Sequence, residues 1–160
     1  MMRIGIIGPE STGKTTLAKE LAERYHGTYV PEYAREYVER KKAESRAWRV
    51  ESVSWDELCE IARYQIDELA QQADGLYFFD TELIVTKVWF DYAFGRWPEW
   101  LDEAIKKYLM DEYIILYPDI PWVADEARSN GSDEIRLELF ERYKKEVEAL
   151  GVKYHLVKHN

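Results

Sequence analysis

Apolar residues fall into two patterns along this chain: short unbroken runs, and stripes that recur every three or four positions. Ile4-Gly5-Ile6-Ile7, after Met1-Met2-Arg3, is a run of the first kind and predicts a buried first strand. Leu17, Ala18, Leu21, Ala22 and Tyr25 then share one helical face over 14–25, directly after a glycine-containing loop. Beyond the Gly27 break, Thr28-Tyr29-Val30 reads as a second strand, and Pro31 opens an amphipathic segment carrying Tyr33, Ala34, Tyr37 and Val38. The polar stretch Lys41 to Arg46 reads as a mobile loop.

Ser54-Trp55-Asp56-Glu57 has the spacing of a capping box, and Leu58, Ile61, Ala62, Leu69 and Ala73 continue as the stripe of a long helix up to Asp74-Gly75. Leu76-Tyr77-Phe78-Phe79 is an unbroken apolar run ending in Asp80, as expected of a strand covered on both faces. Helical patterns follow through Gly95 and again from Pro98 to Met110. Tyr113 to Tyr117 predicts a fourth buried strand, and 118–131 lacks clear periodicity. Ser132 can cap a last helix with the stripe Ile135, Leu139, Tyr143, Val147 and Leu150, followed by a final strand over Tyr154 to Val157. Strands alternating with helices predict an α/β fold: a parallel five-stranded sheet flanked by helices, with the ligand at the strands' carboxyl ends. One domain over 1–160, with a short lid at about 118–136, fits the length.

A formal charge of −9 argues against a nucleic acid partner, which demands clustered Lys and Arg, and no apolar stretch is long enough to span a membrane. The acidic field also repels ATP at long range, so phosphate binding must come from local donors and Mg²⁺. The single cysteine, Cys59, falls on an apolar helical face and reads as a buried thiol in a reducing, cytoplasmic setting. Most of the six tryptophans and twelve tyrosines are expected in packing. His26, His155 and His159 have neither metal spacing nor a nucleophile partner.

The segment Gly8-Pro9-Glu10-Ser11-Thr12-Gly13-Lys14-Thr15, between a strand and a helix, is a phosphate-binding loop. Backbone N–H groups from Glu10 through Ser11, Thr12 and Gly13 to Thr15 can cradle phosphate oxygens. Lys14 can bridge the β and γ groups, and the Thr15 hydroxyl can ligate Mg²⁺. Asp80 at a strand end suits a carboxylate that supports Mg²⁺, or else the cap of a helix starting at Thr81. Glu32 can face the γ-phosphate and accept a proton from an attacking hydroxyl, or simply pair with Arg35 on the surface. Arg128 is either an arginine finger in the lid or an exposed loop residue, with Arg136 as a second candidate. Tyr33, Trp89 and Trp122 lie near predicted strand ends, where an aromatic face can stack on a base or a cationic ring.

Several segments together resemble the ribosylnicotinamide kinase domain of NadR-type proteins of NAD salvage. They are the loop with Thr16-Leu17, Pro31-Glu32-Tyr33-Ala34-Arg35-Glu36-Tyr37-Val38, Phe79-Asp80-Thr81-Glu82 with Thr86-Lys87-Val88-Trp89, and Pro121-Trp122-Val123-Ala124-Asp125 with Arg128. The resemblance implies a nucleoside-kinase-like fold and transfer of the ATP γ-phosphate to the 5′-hydroxyl of nicotinamide riboside, giving nicotinamide mononucleotide. It implies that Glu32 meets the accepting hydroxyl, Asp80 meets Mg²⁺ or substrate, Arg128 serves the lid, and Tyr33, Arg35, Trp89 and Trp122 line the substrate pocket. It also implies ATP contacts from Gly8 through Thr16. No His-x-Gly-His segment is present, so adenylyl transfer is not expected. A pyridinium stacking on Trp or Tyr within an acidic protein is favourable in its own right. Two other readings share this loop: a kinase for a deoxynucleoside or nucleoside monophosphate, and a P-loop ATPase or regulatory module. The sequence assigns no oligomeric state.

Overall fold

The apolar runs pair with one another across the chain rather than with their neighbours in sequence. The structure, a computed structural model, describes residues 1–9, 12–118 and 133–158. Its strands are β1 (Met2–Ile7), β2 (Thr28–Val30), β3 (Leu76–Asp80), β4 (Glu112–Leu116) and β5 (Lys153–Val157). They form one parallel sheet in the order β2-β3-β1-β4-β5. The helices are α1 (Lys14–Arg24), α2 (Tyr33–Glu44), α3 (Trp55–Ala70), α4 (Leu83–Phe94), α5 (Glu99–Lys107) and α6 (Asp133–Leu150). This is the parallel α/β sheet flanked by helices that the hydrophobic pattern predicts.

Successive residues of β1 serve opposite faces, which is why the run reads as continuously apolar. Ile7 joins a large core with Leu58, Ile61 and Ala62 of α3, Ile84 and Val88 of α4, and Leu139, Tyr143 and Val147 of α6. Ile6 joins a smaller one with Ala18 and Ala22 of α1, Phe78 and Leu116. Cys59 is buried in the large core, and that burial pushes its thiol pKa up, as befits an inert side chain.

Local chemistry sets the helix ends. Ser54 Oγ accepts from Glu57 N at 3.0 Å while Ser54 N donates to Glu57 Oε1 at 2.9 Å, closing the capping box that starts α3. Gly95, at φ 70°, ends α4 in the left-handed conformation that glycine adopts without a Cβ penalty.

One expectation is overturned. The stretch from Lys41 is not a mobile loop at its start, because α2 runs on through Glu44. Lys, Ala and Glu are good helix formers, and Lys41 is anchored: its Nζ lies 3.6 Å from Glu57 of α3 and over the Tyr37 ring. The chain leaves the helix only at Ser45, which is extended.

Register builds the site. Ile6 pairs with Asp80 and Val30 with Phe79, so the loop after β1, the end of β3 and the start of α2 lie side by side at the carboxyl edge. Among the described residues, no helix is long and apolar enough to cross a membrane.

Candidate functional site

The loop leaving β1 turns on two glycines. A Cβ at Gly8 would lie 2.9 Å from the Leu116 carbonyl oxygen, and Gly13 takes φ 87° at the N-cap of α1. Thr12, wholly buried, donates from Oγ1 to the Pro9 carbonyl at 2.8 Å and staples the loop from within. Lys14 folds back over it, its Nζ donating to the carbonyls of Gly8 and Pro9 at 3.0 Å each. The α1 N-terminus brings aligned N–H groups to the same spot. Thr16 follows on the exposed side of α1.

Asp80 closes the other side. It is 1% exposed, and its Oδ2 accepts from Thr15 Oγ1 at 2.6 Å and from Tyr29 hydroxyl at 3.0 Å. Burial, reinforced by the Asp80 carboxylate, pushes the Tyr29 hydroxyl pKa well up, so it stays a donor. Asp80 does not cap the next helix. Glu82 does, accepting from Ile84 N at 3.0 Å, and α4 begins at Leu83 rather than at Thr81.

Among the described residues, Asp80 Oδ1 is buried without a hydrogen-bond partner, next to a hydroxyl its other oxygen already holds. An open carboxylate oxygen beside Thr15 suits Mg²⁺, which takes one or two protein oxygens and completes its shell with water and phosphate. Thr15 and Asp80 are the residues that would hold it, with Lys14 and the loop backbone holding the nucleotide phosphates.

A cleft opens from this edge. Its lining mixes polar residues, among them Gly8, Lys14, Glu32, Arg35, Thr81 and Thr86, with apolar and aromatic ones, among them Val38, Val50, Val88, Trp89, Tyr92 and Tyr143. Arg35 approaches Glu39 at 3.9 Å along α2. The structure thus brings Gly8, Lys14, Glu32, Arg35 and Trp89 to one cavity. Tyr33 faces elsewhere: its ring stacks on Tyr64 at 3.7 Å and it lines a side recess with Pro31, Gln65 and Glu68. Arg136 is 1% exposed, with Nη1 3.2 Å from Asp133. Glu10, Ser11, Trp122, Arg128, Ser132 and His159 lie outside the described residues, as does most of the span 118–136.

Five residues in and around this site take places that a reading of the sequence does not assign. Tyr29 reads only as a strand residue, Thr81 as a helix start, and the Thr86–Gln65 pair, bonded at 2.7 Å between α4 and α3, has no local signature. Glu82 is buried, and burial lifts its carboxyl to about 7 against the bonds it accepts from Ile84 N, the Tyr113 hydroxyl and Leu83 N. The same burial, with Glu82 beside it, drives Tyr113 well above the ordinary tyrosine value.

Comparison with known proteins bears on this cavity. A family model described as AAA domain matches residues 3–160. The trifunctional NAD biosynthesis/regulator protein NadR of Escherichia coli (strain K12) is 31% identical over 135 residues, covering 84% of this chain and 33% of that protein. The chain therefore spans about a third of the length of that curated relative. The crystal structure of NadR protein in complex with NR superposes with a TM-score of 0.75 at 25% identity, over 97% of this chain and 43% of that one. The structure of NadR protein in complex with NAD and AMP-PNP gives the same TM-score at 22% identity, over 97% and 44%.

Proposed function

The chain belongs to the AAA domain family of P-loop proteins, and from that premise we propose that it is an ATP-dependent kinase acting on the 5′-hydroxyl of nicotinamide riboside to give nicotinamide mononucleotide. The observation that carries this reading is that Gly8 and Lys14 of the phosphate loop, the carboxylate residue Glu32 and the aromatic residues Trp89 and Tyr92 line one cleft. A hydrolase or switch has no use for so apolar a lining. A nucleoside does, since its ring needs an aromatic or aliphatic wall while its sugar needs polar partners. The relative solved in complex with NR, and the one solved with AMP-PNP, support the choice of acceptor and donor.

ATP bound with Mg²⁺ supplies the γ-phosphoryl group and the charge that offsets its oxygens. Lys14 lies beside the loop carbonyls, where it can stabilise negative charge on a departing ADP. Asp80 keeps Thr15 oriented and leaves one oxygen open. Glu32 takes the proton of the acceptor hydroxyl as that oxygen bonds to phosphorus; the bond to the β,γ-bridging oxygen breaks and its electron pair leaves with ADP. The apolar wall holds the ring and fixes the angle of attack, so much of the acceleration comes from positioning.

Coupled ADP release across a panel of nicotinamide riboside, deoxynucleosides and nucleoside monophosphates tests this reading. Stimulation by nicotinamide riboside above all others is expected. Stimulation by a deoxynucleoside with none by nicotinamide riboside would reassign the acceptor.

A further inference from the structure

Thr81 holds a conformation its own side chain opposes. At φ 74° it lies in the left-handed region that β-branched residues rarely adopt. It is also 6% exposed, and among the described residues its Oγ1 is buried without a hydrogen-bond partner. Strain and an unmet hydroxyl both destabilise a fold, and native structures keep few of either.

The residues on each side hold it there. Asp80 is fixed by Thr15 and Tyr29, and Glu82 by Ile84 N and the Tyr113 hydroxyl. Thr81 N donates to the Ile6 carbonyl at 2.9 Å, extending the β1–β3 ladder one residue past the strand. Each of those functions belongs to the backbone or to a neighbour. Glycine would take the same φ without strain, and valine would fill the same volume without a polar atom. Neither the fold nor the packing explains the hydroxyl.

Its location does. Thr81 lines the cleft together with Lys14, Glu32 and Thr86, at the wall that separates it from the side recess beside Tyr33 and Gln65. A threonine hydroxyl both donates and accepts, which matches an alcohol better than a phosphate or a cation. We propose that the Thr81 hydroxyl binds the phosphoryl acceptor, hydrogen-bonding a sugar hydroxyl and so setting the register of the acceptor against Glu32. Thr81 then determines specificity for polyhydroxylated acceptors. The inference rests on the kinase reading, although not on which nucleoside is used.

The test uses Thr81→Val, which keeps the shape and removes the hydroxyl, and Thr81→Ser, which keeps the hydroxyl. Both are assayed on whichever panel member the wild type phosphorylates. Thr81→Val should raise KM for the acceptor roughly tenfold or more while ATP affinity is unaltered, and Thr81→Ser should stay within about threefold. Thr81→Gly, measured by thermal unfolding alongside, should melt no lower than wild type yet share the KM defect, which a purely structural role does not predict. Wild-type KM in Thr81→Val, with its melting temperature unchanged, would overturn the assignment. A wild type that phosphorylates only a deoxynucleoside removes nicotinamide riboside as the substrate and leaves the Thr81 comparison to be decided on that deoxynucleoside. A wild type that phosphorylates and binds no acceptor removes both.

Discussion

Asp80 has one oxygen engaged by two hydroxyls and one buried without a partner among the described residues, an arrangement that suits a carboxylate shared between the protein and a metal. Glu32 lines the cleft, and the proposed role makes its carboxylate matter chiefly in the transition state. Glu32→Gln should therefore lower kcat by at least about a hundredfold, within the range general-base catalysis supplies, and leave ATP affinity nearly unchanged. Steady-state kinetics with a separate ATP titration checks this; intact kcat would move the proton acceptor to another residue. Glu82 gives a pH prediction with a definite sign. Folding raises its carboxyl from 4.5 to about 7, so between those values the native state holds more protons than the unfolded chain. Its contribution is fully present below 4.5 and is lost as pH rises through 7, by up to roughly 3 kcal/mol at 1.36 kcal/mol per unit. Urea unfolding across that window should show stability falling with pH, and Glu82→Gln, which keeps an acceptor oxygen, should flatten the slope.

Elements show where sequence was enough. The capping box at Ser54 was legible because its signature is local, and the structure adds that Glu57 also accepts from Trp48 Nε1 at 2.9 Å and approaches Lys41. The cap thus ties α3 to α2 and to the turn between them. Ser54→Ala should cost about 1 kcal/mol by chemical denaturation, and a loss below about 0.3 kcal/mol would mean the cap is idle. The α2 extension through Glu44 was not legible, because its hold is the tertiary anchor of Lys41. Lys87 makes the complementary point. It stands in a segment that carries the family resemblance, yet its Nζ pairs with Asp102 of α5 at 2.9 Å and Glu146 of α6 at 3.1 Å, over the Trp97 ring. Helices α4, α5 and α6 are stapled by it, a role that no spacing within α4 announces.

At the scale of the whole molecule, the strand order follows from parallel pairing of runs that the sequence displays plainly, and the phosphate loop follows from its motif. The cleft beyond the loop does not. Its surroundings depend on the register that sets Val30 beside Phe79 and Ile6 beside Asp80, and Tyr29, Thr81 and Glu82 acquire their places only through that register. Net charge bears on function here as well. At −9 the protein repels free ATP, so binding should depend strongly on Mg²⁺. Nucleotide at a hundred times its Kd should add about 2.7 kcal/mol of stability with Mg²⁺ present. Differential scanning calorimetry should show that gain shrink when the metal is chelated and vanish in Lys14→Ala.

The central claim is that the cleft delivers phosphate to a nucleoside hydroxyl. It is tested most directly by incubating the protein with nicotinamide riboside and ATP radiolabelled at the γ-phosphorus, then separating the products. The label is expected in a nucleoside monophosphate, at a rate that Lys14→Ala abolishes. Label recovered only as inorganic phosphate, at the same rate with or without nucleoside, would contradict the claim.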